Sequence, residues 1–162
     1  MVTWQVLNHS HLTDIALEVI ATCPQLQELA LHECHRITNR VRWRTGSGLA
    51  GASWHADVAR RWVRWQGLKA VSGGCPLLRF LSISCCLRVT DAAIIAIAHS
   101  CGRLQKIRLD SCRLLSDPCV RALCRPGLRL RYLSMQHCPK LSDEALRHLL
   151  TAPSIRFVDL GR

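Results

Sequence analysis

The chain has 162 residues, 49% of them apolar, and a formal net charge of +11. That length suits one domain whose own core needs neither metals nor disulfides to form. The most apolar run, Ala92 to Ala98, is far shorter than the roughly 20 residues a bilayer span requires, so no membrane partner is expected.

The first eleven residues hold Trp4, Gln5, Asn8 and two histidines, and so lack the basic start and apolar middle of a secretory signal. A cytoplasmic or nuclear protein is expected, with its ten cysteines as reduced thiols. Trp4, Val6 and His9 form the first, partial copy of a frame that recurs along the chain. Leu12-Thr13-Asp14 then reads as a helix start. A Ser or Thr at the cap can accept first-turn N–H groups, and an acidic residue suits the positive end of the helix dipole. The helix that follows carries Ile15, Leu17, Ile20 and Ala21 near the 3.6-residue period.

The full frame comes next as Leu26, Leu29, Leu31, Cys34, with the start pair Thr38-Asn39 behind Ile37. After an interruption it returns as Leu78, Leu81, Ile83, Cys86, with Val89-Thr90-Asp91 and a helix through Ile94, Ile95, Ile97 and Ala98. The third copy is Leu104, Ile107, Leu109, Cys112. Leu115-Ser116-Asp117 follows it, with Pro118 tolerated in the first turn and Val120 and Leu123 on the helix. The fourth is Leu130, Leu133, Met135, Cys138, followed by Leu141-Ser142-Asp143 and Leu146, Leu149 and Leu150. Ile155, Val158 and Leu160 close the chain as a last partial copy. Cys86, Cys112 and Cys138 are 26 residues apart, and Cys34 lies 52 before Cys86, so the phase is kept along most of the chain.

These residues resemble the cysteine-containing leucine-rich repeats of F-box/LRR proteins and of antagonist of mitotic exit network proteins. The words that carry the resemblance are Cys23-Pro24-x-Leu26-x-x-Leu29-x-Leu31-x-x-Cys34 and its copy from Cys75-Pro76 to Val89-Thr90-Asp91. It covers residues 1–39 and 67–162. It implies an α/β leucine-rich-repeat solenoid, a horseshoe of the ribonuclease-inhibitor kind, with short parallel strands on the concave side and helices on the convex side. Without a neighbour each unit leaves its apolar face open, so stacking builds one continuous core. By the same resemblance, the chain is expected to recognise targets in an SCF-type ubiquitin ligase setting. Because the repeat pattern begins at its start, the chain is expected to lack the F-box that would dock the Skp adaptor.

The interruption, residues 40–66, holds six arginines against one aspartate and four of the five tryptophans. Removing 26 residues would bring Thr38-Asn39 and Gly67-Leu68 back into phase. As a degenerate repeat the segment would put Ala52, His55, Asp57 and Arg60 at frame positions, which cannot line a dry core. An insertion fits better. It could be inert and disordered, or bind RNA or single-stranded DNA, since arginines hold phosphates and tryptophans stack on bases. An incomplete isoform without independent function is a third reading.

Between the inward leucines, the expected solvent-facing concave residues are Glu28, Ala30 and His32; Phe80, Ser82 and Ser84; Lys106, Arg108 and Asp110; Tyr132, Ser134 and Gln136; and Phe157 and Asp159. Aromatics beside an arginine and charges of both signs suit a protein partner. The frame cysteines read as small buried side chains whose S–H groups bond carbonyls. No zinc-type cysteine pairing, phosphate loop or catalytic triad spacing is present, so neither cofactor nor enzymatic activity is expected.

Overall fold

The computed structural model describes residues 2–6, 12–37 and 67–161. It is an α/β fold with one six-stranded sheet in which every strand pair is parallel. The strands are β1 (Val2–Val6), β2 (Leu26–His32), β3 (Phe80–Ser84), β4 (Lys106–Arg108), β5 (Tyr132–Ser134) and β6 (Phe157–Asp159), and they lie side by side in chain order. The helices are α1 (Asp14–Ile20), α2 (Leu68–Gly74), α3 (Asp91–Ser100), α4 (Asp117–Leu123) and α5 (Asp143–Leu150), each packed on the next. Among the described residues each strand and each helix thus packs on the one next to it in the stack.

The register follows the sequence frame. Trp4, Leu29, Leu81, Ile107, Leu133 and Val158 pair in succession across all six strands, and Leu31 pairs with Ile83. From Leu29 to Leu133 this ladder is fully buried, as are Leu31, Ile83 and Leu109, with Met135 nearly so. Each such aliphatic contributes about 1.5 to 3 kcal/mol by leaving water. Trp4 and Val158, on the two edge strands of the described sheet, stay 41% and 37% exposed.

β2 pairs directly with β3, Glu28 against Phe80 and Leu29 against Leu81, although 52 residues separate them. Nothing therefore lies between these two strands in the sheet. The helices close the same gap: Gly74, at the end of α2, comes so near Ala21 that a Cβ there would stand 1.9 Å from the Ala21 carbonyl oxygen. Only glycine allows that approach. The readings of residues 40–66, and the positions of His9, Thr38 and Asn39, lie outside the described residues.

After each full strand the chain turns through a left-handed residue one place before the frame cysteine. These are Glu33 (φ 55°), Cys85 (61°), Ser111 (60°) and His137 (54°). Each donates its N–H to the next unit, to the carbonyls of Ser84, Asp110, Gln136 and Gly161 at 3.1, 2.7, 2.7 and 3.0 Å. The strained turn thereby extends the ladder beyond the strand.

Two expectations about the helices need correction. Thr13, Thr90 and Ser116 make no side-chain cap bond; of the described helices with a Ser or Thr cap, only α5 uses it, Ser142 accepting from the Glu144 N–H. The pair instead works between units. Asp91 accepts from the N–H and hydroxyl of Ser116 (2.8 and 2.6 Å), and Asp117 from those of Ser142 (2.9 and 2.6 Å). Second, Ile15, Leu146 and Leu150 are exposed, at 71%, 47% and 87%, while Ala145 is the buried residue of α5. They belong to the terminal helices α1 and α5, each of which has a described helix neighbour on one side only.

Candidate protein-interaction face

Parallel pairing lines up the sheet's outward residues in rows. Glu28, Phe80, Lys106, Tyr132 and Phe157 form the first row, and Ala30, Ser82, Arg108, Ser134 and Asp159 the second. His32 and Ser84 begin a third, which Asp110 and Gln136 continue through the turn bonds just described. All the residues expected on this face are thus brought together.

They do not all face solvent. Ser82, Ser84, Asp110 and Ser134 are buried, at 8, 4, 8 and 1% exposure. Short side chains on strands about 4.8 Å apart are covered by longer neighbours, and burial is tolerable because they bond one another. Asp110 is the hub: it accepts from the Ser134 hydroxyl, the Gln136 N–H (3.1 Å), Ser84 Oγ (3.5 Å) and Arg108 Nη2 (3.2 Å). Asp159 repeats the theme, accepting from Gln136 Nε2 and the Gly161 N–H.

What remains accessible is the first row with Arg108, Gln136, His32 and Asp159. Tyr132 and Phe157 stack with ring centroids 4.9 Å apart and planes 5° from parallel, and Phe157 is 52% exposed. An aromatic pair of this kind adds about 0.5 to 1.5 kcal/mol beyond area and presents a rigid apolar surface. Arg108 projects from its bond to Asp110 with its side chain 52% exposed.

One row was missed in the sequence. Gln27, Arg79, Gln105, Arg131 and Arg156 each precede an outward strand residue and are linked in order by backbone bonds, Arg79 N–H to Gln27 O, Gln105 N–H to Arg79 O, Arg131 N–H to Gln105 O and Arg156 N–H to Arg131 O. Their shared place, directly after Leu26, Leu78, Leu104, Leu130 and Ile155, is the signal that would have revealed them.

The cysteines form two ladders. Cys112 and Cys138 donate to the carbonyls of Ile83 (3.0 Å) and Leu109 (3.3 Å) in the preceding unit, and Cys34 and Cys86 to His32 and Ser84. At the helix ends Cys75 donates to Cys23 O and Cys101 to Cys75 O, both at 3.6 Å. Burial pushes the thiols of Cys86 and Cys101 up to about 12, away from the reactive thiolate. Among the described residues no group of three His, Cys, Asp or Glu side chains could hold a metal ion, and no helix is long and apolar enough to cross a membrane.

No protein-family model matches this chain, and no curated protein does. Among solved structures it is similar to a chain in the crystal structure of the Rad7 and Elc1 complex in yeast. The TM-score is 0.67 and the identity 18%, over 93% of this chain and 32% of that one. At that identity the likeness is one of fold. This chain spans about a third of that chain's length.

Proposed function

We propose that the chain is a leucine-rich-repeat horseshoe and that the open face of its sheet holds a protein partner. The observation that carries this reading is the accessible Tyr132–Phe157 stack beside Lys106, Arg108, Gln136 and Asp159, an apolar anchor within a polar surround of both charges. Interfaces draw their energy from such anchors, and the surrounding charges set orientation and specificity. The structural relative comes from a complex of two proteins, which is in keeping with a binding role. The likeness of the repeat words to F-box/LRR proteins extends the proposal to target recognition for an SCF-type ubiquitin ligase, with contact to the ligase made indirectly.

A photo-reactive amino acid placed at Lys106 or Phe157, and in a control at Arg121 on α4, tests the reading in cells. Protein adducts are expected from the two sheet positions and not from the helix. Adducts from Arg121 alone would sink it. A pull-down that recovered neither Skp, cullin nor any ubiquitylated target would remove the ligase part and leave the binding face standing.

A further inference from the structure

The entry ends of β3 to β6 carry a charge pattern that the proposed binding role does not by itself require. Arg79, Arg103, Lys106, Arg129, Arg131 and Arg156 all lie at or within three residues before the first residue of β3 to β6, and all are exposed. None of their side chains is tied up in an ion pair with a described residue. Residues 77–80, 103–106, 129–132 and 154–157 contain no acid at all. Six cations with no ion-pair partner among the described residues thus gather along the entry end of four neighbouring strands, with Phe80, Tyr132 and Phe157 beside them. Like charges held this close repel, so the arrangement favours whatever anion relieves it.

We infer that this strip binds an extended acidic polypeptide segment lying across the strands, with an apolar residue of that segment on the Tyr132–Phe157 stack. The inference rests on the proposed binding face and names its partner's chemistry. Arg131 and Arg156 stand on adjacent strands, about 5 Å apart at the backbone, and Arg79 two strands, about 10 Å, beyond Arg131. An extended peptide presents same-side carboxylates about 7 Å apart, a spacing that flexible arginine side chains on those strands can meet two-pronged. A nucleic acid fits less well. Arg108, the cation of the next row, is already held by Asp110, and Asp159 adds a second carboxylate to the face that a sugar-phosphate chain would have to cover. A peptide can run along the strand entries, where residues 77–80, 103–106, 129–132 and 154–157 hold no acid, and still meet Arg108 at its edge.

The test uses the full chain and fluorescence anisotropy with three labelled probes of about ten residues or nucleotides. They are a peptide with alternating glutamates and one central phenylalanine, its lysine counterpart, and a single-stranded oligonucleotide. The glutamate peptide is expected to bind best, more weakly as salt rises, and to lose about tenfold or more in affinity with Arg79→Gln, Arg131→Gln and Arg156→Gln combined. Arg121→Gln with Arg147→Gln, both on the helices, should leave it unchanged. Should the triple variant not fold, Arg131→Gln and Arg156→Gln singly are expected to cost about threefold each. Tighter binding of the oligonucleotide, equal losses from the helix variants, or no binding of the glutamate peptide would overturn the inference. If photo-crosslinking at Phe157 still captured a protein in that case, the binding face would stand and only its acidic specificity would fall.

Discussion

Ser142 gives both its backbone N–H and its hydroxyl to the carboxylate of Asp117, at 2.9 and 2.6 Å, from one unit further along the stack. Asp91 and Ser116 repeat the grip one unit earlier. The Ser-Asp pair that looks like a helix start in sequence is therefore also a clamp between consecutive helices. The two Ser142 bonds hold the Asp117 carboxyl below its usual value of 3.8. A lowered value means the clamp's stabilisation is present above that pH and is lost as pH falls through the folded-state value. Asp117→Asn and Ser142→Ala should each cost about 1 kcal/mol near neutral pH, with a coupling of similar size in the double-mutant cycle. The Asp117→Asn penalty should shrink as the wild-type carboxyl protonates, and thermal melts across acidic pH check this. Strict additivity of the two substitutions would show that the clamp contributes nothing.

Gly74→Ala tests the closure between α1 and α2. A Cβ would stand 1.9 Å from the carbonyl oxygen of Ala21 and 2.7 Å from its carbon, both backbone atoms that cannot swing away. The helices must separate, at a cost of about 2 to 3 kcal/mol. Gly102→Ala, with no atom within 4 Å of the added carbon, is the control and should be close to neutral. Equal melting temperatures for the two variants would mean that α1 and α2 are not in contact in solution.

The buried thiols predict an alkaline limit to stability. Burial raises Cys86 and Cys101 from 9.0 to about 12, and Cys75 and Cys124 to about 11. The neutral thiol is the folded form, so its contribution is intact below pH 9. Above that the unfolded chain ionises while the folded chain does not, and stability falls as pH rises towards the folded values. The melting temperature should therefore drop steeply between pH 9 and 12, with a shallower slope in Cys101→Ala, although that variant starts lower. Iodoacetamide near pH 8 should reach Cys23 and Cys85, which are partly accessible, well before Cys86, Cys101 and Cys112. Simultaneous modification of all ten cysteines would contradict the packed ladders.

The strand frame could be read in the sequence because it depends on local alternation. Leu81, Ile83 and Cys86 must face inward wherever the chain is extended, and their copies 26 residues on do the same. Two kinds of information were not local. Whether Ser82, Ser84 and Ser134 meet water depends on the side chains two neighbouring strands provide, and Asp110 draws them into one network only once the register is fixed. The row of Arg79, Arg131 and Arg156 is spread along the chain at separations of 52 and 25 residues; its only mark there is the shared place directly after Leu78, Leu130 and Ile155, and the three become neighbours only across the sheet. The helix faces were misread at Ile15 and Leu150 because periodicity marks an apolar stripe without showing whether a neighbour lies against it.

Asp110 and Arg108 separate the stability of the face from its recognition. Asp110 is 8% exposed and accepts from Ser134, Gln136, Ser84 and Arg108, so replacing it strands several buried donors at once. Asp110→Ala should cost about 2 to 4 kcal/mol, because an unsatisfied buried donor loses its full desolvation energy. Asp110→Asn, which keeps the shape and one carbonyl acceptor, should cost less. Arg108→Ala removes a side chain that is 52% exposed, and solvent already screens its pairing with Asp110, so the stability loss should stay under about 1 kcal/mol. Its effect belongs in partner binding, where an arginine positioned by a buried carboxylate loses less freedom on association than an untethered one. Urea titrations measure the first quantity, and crosslinking yield from Phe157 reports the second. Comparable destabilisation by Arg108→Ala and Asp110→Ala would mean that the arginine belongs to the scaffold and not to the binding surface.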